Sequence, residues 1–125
     1  IASPTMAEQL RRTLGPWAVS GPALEIGRRA LADDAWLAAS ALRLATHSKR
    51  VDALLAAAGC RLRGGTMLFR LFEHGEAPRL ADALARHGIH VRRFADRPTL
   101  LRFGLPANDE EFSRLAAALQ VPQKV

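Results

Sequence analysis

The sequence predicts an α+β fold: a small, mostly antiparallel sheet in the order β-β-α-β-β-α, covered by helices on one face and preceded by a long helix. Three observations predict it. Between residues 33 and 58 the stripe Leu37, Ala41, Leu44, Ser48, Val51, Leu55, Ala58 steps by three or four positions, the helical period. From Cys60 onward the period becomes two, with Cys60-Arg61-Leu62-Arg63 alternating apolar and charged residues. Later helical and alternating segments then interleave, with no internal repeat and no low-complexity linker.

The elements follow in order. Ser3 and Pro4 open a helix to about Leu14, proline suiting the first helical position, and Gly15 with Pro16 breaks it. Ser20 offers a cap to a second helix over 23–31 that carries Arg28 and Arg29. Asp33 and Asp34 start the long helix, which Gly59 closes as a C′ glycine. At ~1.5 Å per residue it would span ~39 Å, more than one small domain needs, so it reads as an interdomain helix. We divide the chain into an N-terminal helical segment, 1–32, and an α+β domain, 33–125, with the long helix at 33–58 and the sandwich at 60–119.

Within the sandwich, Gly64 and Gly65 read as the turn between two strands, the second presenting Met67, Phe69 and Leu71 on one face and Arg70 on the other. Residues 77–87 form an amphipathic helix with Leu80, Ala81, Leu84 and Ala85 inward, closed by Gly88. Strands follow at 89–94 and 100–105. Asn108 and Glu111 have capping-box spacing before a last helix lined by Phe112, Leu115, Ala116 and Leu119, which Pro122 should end in a frayed tail.

The 125 residues suit one compact domain, and 49% hydrophobic with 24% charged residues excludes a disordered chain. Ile1 at the start implies processing or a longer parent. A net charge of +6 raises nucleic-acid binding. Against it, the 16 arginines sit in ones and twos with no basic tract, so we expect no nucleic-acid partner. The lone Cys60 fits a reducing compartment, and no apolar run reaches ~18 residues, so we expect a cytoplasmic protein without a membrane partner. His47, His74, His87 and His90 complete no metal set, and no Walker, Gly-x-Gly-x-x-Gly or Gly-x-Ser-x-Gly motif is present. Trp17 and Trp36 read as packing anchors.

The informative position is Arg102. Alternation sets Leu101, Phe103 and Leu105 on the core face and Arg102 on the other, between Leu100 and Gly104. A guanidinium with clearance beside it suits a bidentate grip on a carboxylate, but spacing alone favours a plain solvated surface charge. Arg92 is outward beside His90, while Arg93 shares the core-face parity of Ile89 and Val91. Were these strands neighbours, Arg92 and Arg102 could face a common anion, or be two unrelated surface charges.

Three blocks, Gly15-Pro16-Trp17-Ala18-Val19-Ser20-Gly21-Pro22-Ala23-Leu24, Gly88-Ile89-His90-Val91-Arg92-Arg93-Phe94 and Leu100-Leu101-Arg102-Phe103-Gly104-Leu105-Pro106, resemble the threonine-phosphate decarboxylases of cobalamin biosynthesis. These are pyridoxal-phosphate (PLP) proteins of fold type I, related to histidinol-phosphate aminotransferase. The resemblance runs from about Thr5 to Leu119. It implies an aminotransferase-like C-terminal small domain that closes over an amino acid phosphate, a large domain elsewhere in the same chain, and a homodimeric parent. By position it implies that Arg102 binds the substrate α-carboxylate and Arg92 its phosphate. The family's PLP lysine lies upstream of the first block, and neither Lys49 nor Lys124 is in a matching motif. We therefore expect PLP in the parent, no covalent PLP on these residues and no activity from them alone. The other readings are the small domain of a related aminotransferase, a basic nucleic-acid-binding domain and a truncated dimerisation module.

Overall fold

A computed structural model describes residues 2–120. The helix stop expected at Pro122, and Lys124 with it, lie outside the described residues. The chain divides into two compact units, Ile1–Leu37 and Ala38–Val125.

The first unit holds α1 (Pro4–Leu14) and α2 (Gly21–Leu31). Each starts as its sequence dictates: the Ser3 hydroxyl accepts from the Met6 N–H and the Ser20 hydroxyl from the Ala23 N–H, with proline in the first turn of each. Neither helix buries a residue. Trp17 is 89% exposed and Trp36 56%, so neither is the packing anchor expected of it within the described residues.

The long helix α3 (Asp34–Ala57) ends as predicted. Gly59 takes φ 80°, and the Cys60 N–H donates back to the Leu55 carbonyl at 2.9 Å, closing the helix. Only the later part of the expected stripe is buried: Ser48, Val51 and Leu55 join Ser40, while Leu37 is exposed.

The sheet runs β1 (Arg61–Gly65), β2 (Arg70–Glu73), β3 (Arg92–Arg93) and β4 (Leu100–Phe103), in the spatial order β1-β2-β4-β3 and antiparallel throughout. Two further helices, α4 (Ala77–Arg86) and α5 (Asp109–Gln120), complete the β-β-α-β-β-α order. Val51 and Leu55 of α3, Leu80 and Leu84 of α4, and Phe112 and Leu115 of α5 pack with Phe72, Val91, Leu101 and Phe103 in one core. The helices thus cover one face of the sheet, as predicted. Phe72 meets Phe103 edge-on at 6.0 Å. The Asn108 side chain accepts from the Glu111 N–H at 2.9 Å, and the Glu111 carboxylate reaches back to the Ala107 N–H at 2.8 Å.

Three local expectations change. Gly64 and Gly65 are not the turn: both extend β1, with a bulge between Leu62 and Gly64, and the chain reverses over residues 66–69. There the Thr66 hydroxyl accepts from the Leu68 and Phe69 N–H groups, at 3.1 and 3.2 Å. The core face of β2 is therefore that of Phe72, 1% exposed, not that of Phe69 and Leu71. The strand expected over 89–94 shortens to Arg92 and Arg93, although Val91 still packs in the core.

Gly65 has φ 151°, and a methyl group there would overlap the Phe69 carbonyl and lie 3.0 Å from Arg70 Cα. Gly65→Ala is expected to destabilise the domain by about 1–3 kcal/mol, the cost of forcing a side chain into a sparsely allowed backbone region. A shift in the denaturant midpoint relative to Gly104→Ala, whose added methyl meets nothing within 4 Å, checks it.

Candidate anion-binding site

On β4, Leu101 and Phe103 are buried at 1% and 3% exposure, and the pleat turns Arg102 to the other face. The registers complete a single rung there: Leu71 of β2 stands opposite Arg102, and Arg92 of β3 stands opposite it on the other side. The condition set by the sequence, that the two arginine strands be neighbours, is met directly. Side chains opposite one another in a ladder lie about 5 Å apart at Cβ, and like charges so placed repel. An anion between them would remove that repulsion.

Among the described residues neither Arg92 nor Arg102 has an acidic partner. Ten other arginines do. Arg93, one residue along and on the opposite face, is tied to Asp82 of α4. Arg92 and Arg102 are both exposed. The Arg102 guanidinium lies over the Phe69 ring, 4.6 Å from its centroid, and that of Arg92 is 6.0 Å from the Phe94 ring.

Arg70 shows what holds the rung in place. It sits on the core-face parity of β2 and forks onto Asp52 of α3 with hydrogen bonds of 2.8 and 2.6 Å. The Asp52 hydrogen bonds hold its guanidinium above its ordinary pKa, against a smaller opposing effect of burial. β2 is thereby locked to α3 while its other face presents Leu71 beside Arg102. The sequence reading missed Arg70 as this tie and Phe69 as a neighbour of Arg102. Phe69 shares the parity of Leu71, the one signal that could have placed it on the open face.

A cleft of about 210 Å³ opens at the end of β4, lined by His90, Gly104, Glu111 and Arg114 among others, but neither site arginine lines it. The arginine rung is open surface, so any second wall of the site must come from elsewhere. Cys60 is buried, and burial pushes its thiol pKa up, which suits packing and not nucleophilic chemistry. No metal-binding cluster occurs among the described residues.

The chain belongs to the aminotransferase class I and II family, whose model matches residues 1–119. It is similar to two threonine-phosphate decarboxylases. It is 38% identical over 114 residues to that of Pseudomonas aeruginosa, which covers 91% of this chain and 34% of that protein. It is 42% identical over 106 residues to that of a Sinorhizobium species, covering 85% of this chain and 31% of that one. The chain thus spans about a third of the length of these curated relatives. A crystal structure of a protein assigned as an aminotransferase, from Burkholderia pseudomallei, superposes with a TM-score of 0.68 over 92% of this chain and 36% of the other. At 24% identity that likeness shows the fold alone.

The family is PLP-dependent, and its enzymes hold the cofactor on a lysine. Lys49 is the only lysine among the described residues. It lies exposed on α3, a helix that covers the face of the sheet opposite Arg92 and Arg102. The described residues therefore do not fit the cofactor's covalent anchor, and no step below runs through it.

Proposed function

We propose that this chain is the C-terminal, substrate-closing domain of a PLP-dependent amino acid phosphate decarboxylase that converts L-threonine O-3-phosphate to aminopropanol phosphate in cobalamin biosynthesis. One observation carries the reading: Arg92 and Arg102 share a rung on the open face, both without acidic partners among the described residues. In this reading Arg102 takes the α-carboxylate and Arg92 the phosphate. Two guanidiniums on one rung would hold a substrate that is anionic at both ends and so orient the bond to be broken. The similarity to two threonine-phosphate decarboxylases supports the choice of substrate. The cofactor, held by the rest of the parent protein, would supply the electron sink for loss of CO₂.

A decarboxylase must not hold the ionised carboxylate too well. Tight binding of the ground state raises the barrier to its departure. A single exposed arginine, unsupported by a second cation from the described residues on its own strand, fits a limited grip. We further propose that the parent works as a homodimer in the cytoplasm. No helix of the described residues is long and apolar enough to cross a membrane, and the free Cys60 is compatible with a reducing compartment. A nucleic-acid role is disfavoured because so many of the arginines are spent on acidic neighbours.

The test uses the full-length enzyme. CO₂ release from L-threonine O-3-phosphate without any keto acid acceptor supports the decarboxylase; dependence on an acceptor would favour a transaminase. Arg92→Ala is expected to lower kcat/KM for the phosphorylated substrate by about 10- to 100-fold, the worth of a charge-assisted hydrogen bond, while leaving unphosphorylated L-threonine nearly unaffected. Equal losses on both substrates would remove Arg92 from the phosphate.

A further inference from the structure

We infer that Phe69 is a positioning residue for the carboxylate clamp: its ring carries the Arg102 guanidinium and sets the direction of its N–H fork. The inference rests on the assignment of Arg102 to the substrate carboxylate. An exposed arginine on a strand is a long, many-rotamer side chain, and a grip needing two aligned hydrogen bonds requires that freedom to be removed beforehand. No acidic side chain among the described residues does this for Arg102. The Phe69 ring does, 4.6 Å from the guanidinium carbon, offering its negative face and leaving the N–H edge free.

Phe69 is held in turn. The Thr66 N–H donates to the Phe69 carbonyl at 2.8 Å, and the Thr66 hydroxyl accepts from the Leu68 and Phe69 N–H groups. Arg70, forked onto Asp52, also donates to the Thr66 carbonyl at 3.3 Å. A continuous run of hydrogen bonds therefore leads from α3 through the turn to the Phe69 backbone. That Phe69 remains 45% exposed, and lies on the open face, separates this role from core packing.

The experiment is a double-mutant cycle in the full-length enzyme with L-threonine O-3-phosphate. Phe69→Leu keeps an apolar side chain and removes the ring. It is expected to raise KM about three- to tenfold with kcat nearly unchanged, and Phe69→Tyr to restore KM. Thr66→Ala, which frees the turn without touching either ring or guanidinium, is expected to move KM in the same direction. In an Arg102→Ala background, Phe69→Leu should add nothing. If Arg102→Ala is damaging but Phe69→Leu is silent, or acts undiminished without Arg102, the role of Phe69 is overturned and the clamp stands. If Arg102→Ala is itself silent, the clamp fails and Phe69 with it.

Discussion

Arg102→Ala is expected to lower kcat/KM for decarboxylation of L-threonine O-3-phosphate by about 10²- to 10³-fold while leaving the melting temperature of the enzyme unchanged. Truncating one partner of a desolvated charge pair costs about 2–5 kcal/mol, largely because the other charge is left unpaired. At 1.4 kcal/mol per tenfold, that range brackets the expected loss. Stability should hold because Arg102 is exposed and has no acidic partner among the described residues, and because removing it relieves the repulsion from Arg92 across the ladder. Arg102→Lys should recover only part of the activity, since an ammonium cannot present two parallel donors. Steady-state kinetics beside a thermal melt checks both halves of the expectation. Arg86→Ala, at an exposed site on α4, serves as the control for loss of one positive charge; an equal effect there would reduce the clamp to bulk electrostatics.

The opposite result is expected one position from the rung. Phe72 adjoins Leu71, the residue facing Arg102, but its side chain is 1% exposed and meets Phe103 edge-on. Phe72→Ala is expected to destabilise the fold by about 3–5 kcal/mol, through lost burial and the cavity left beneath α3 and α4. The denaturant midpoint should fall sharply with little change in slope. A small loss, below about 1 kcal/mol, would mean that the face of β2 has been assigned wrongly. The pair of substitutions is expected to separate the two faces of one sheet: the proposed substrate face should lose activity without stability, the core face stability.

What the sequence reveals here follows from how strongly each segment repeats its period. The stripe of α3 and the inward set of α4 run over several turns, and both helices fall within a residue or two of their expected ends. The outward direction of Arg102 was legible because Leu101 and Phe103 bracket it with two large apolar residues. The hairpin was not. Gly64 and Gly65 carry a strong turn signal, yet their conformational freedom serves the bulge of β1 and the close approach of Phe69, while an unremarkable Thr66 makes the turn. Met67, Phe69 and Leu71 alternate as convincingly as a core strand, but Phe72 and the anchored Arg70 define the inner face. That could not be read locally, because it depends on the partner of Arg70 being Asp52, 18 residues away on a different element. The shortening of β3 has the same origin: Ile89 and Val91 are apolar because they pack in or against the core, not because they join the ladder. The rung itself needed the strand order, which no stretch of alternating residues encodes.

The rims of the sheet carry a consequence for self-association. One rim is β1, kinked by its bulge, carrying Arg61 and Arg63 and ending in two glycines; the other is β3, only two residues long. An incoming strand finds a distorted, positively charged template on one side and almost no template on the other. Growth by adding strand to strand, a route to fibrils, is thus disfavoured at both borders.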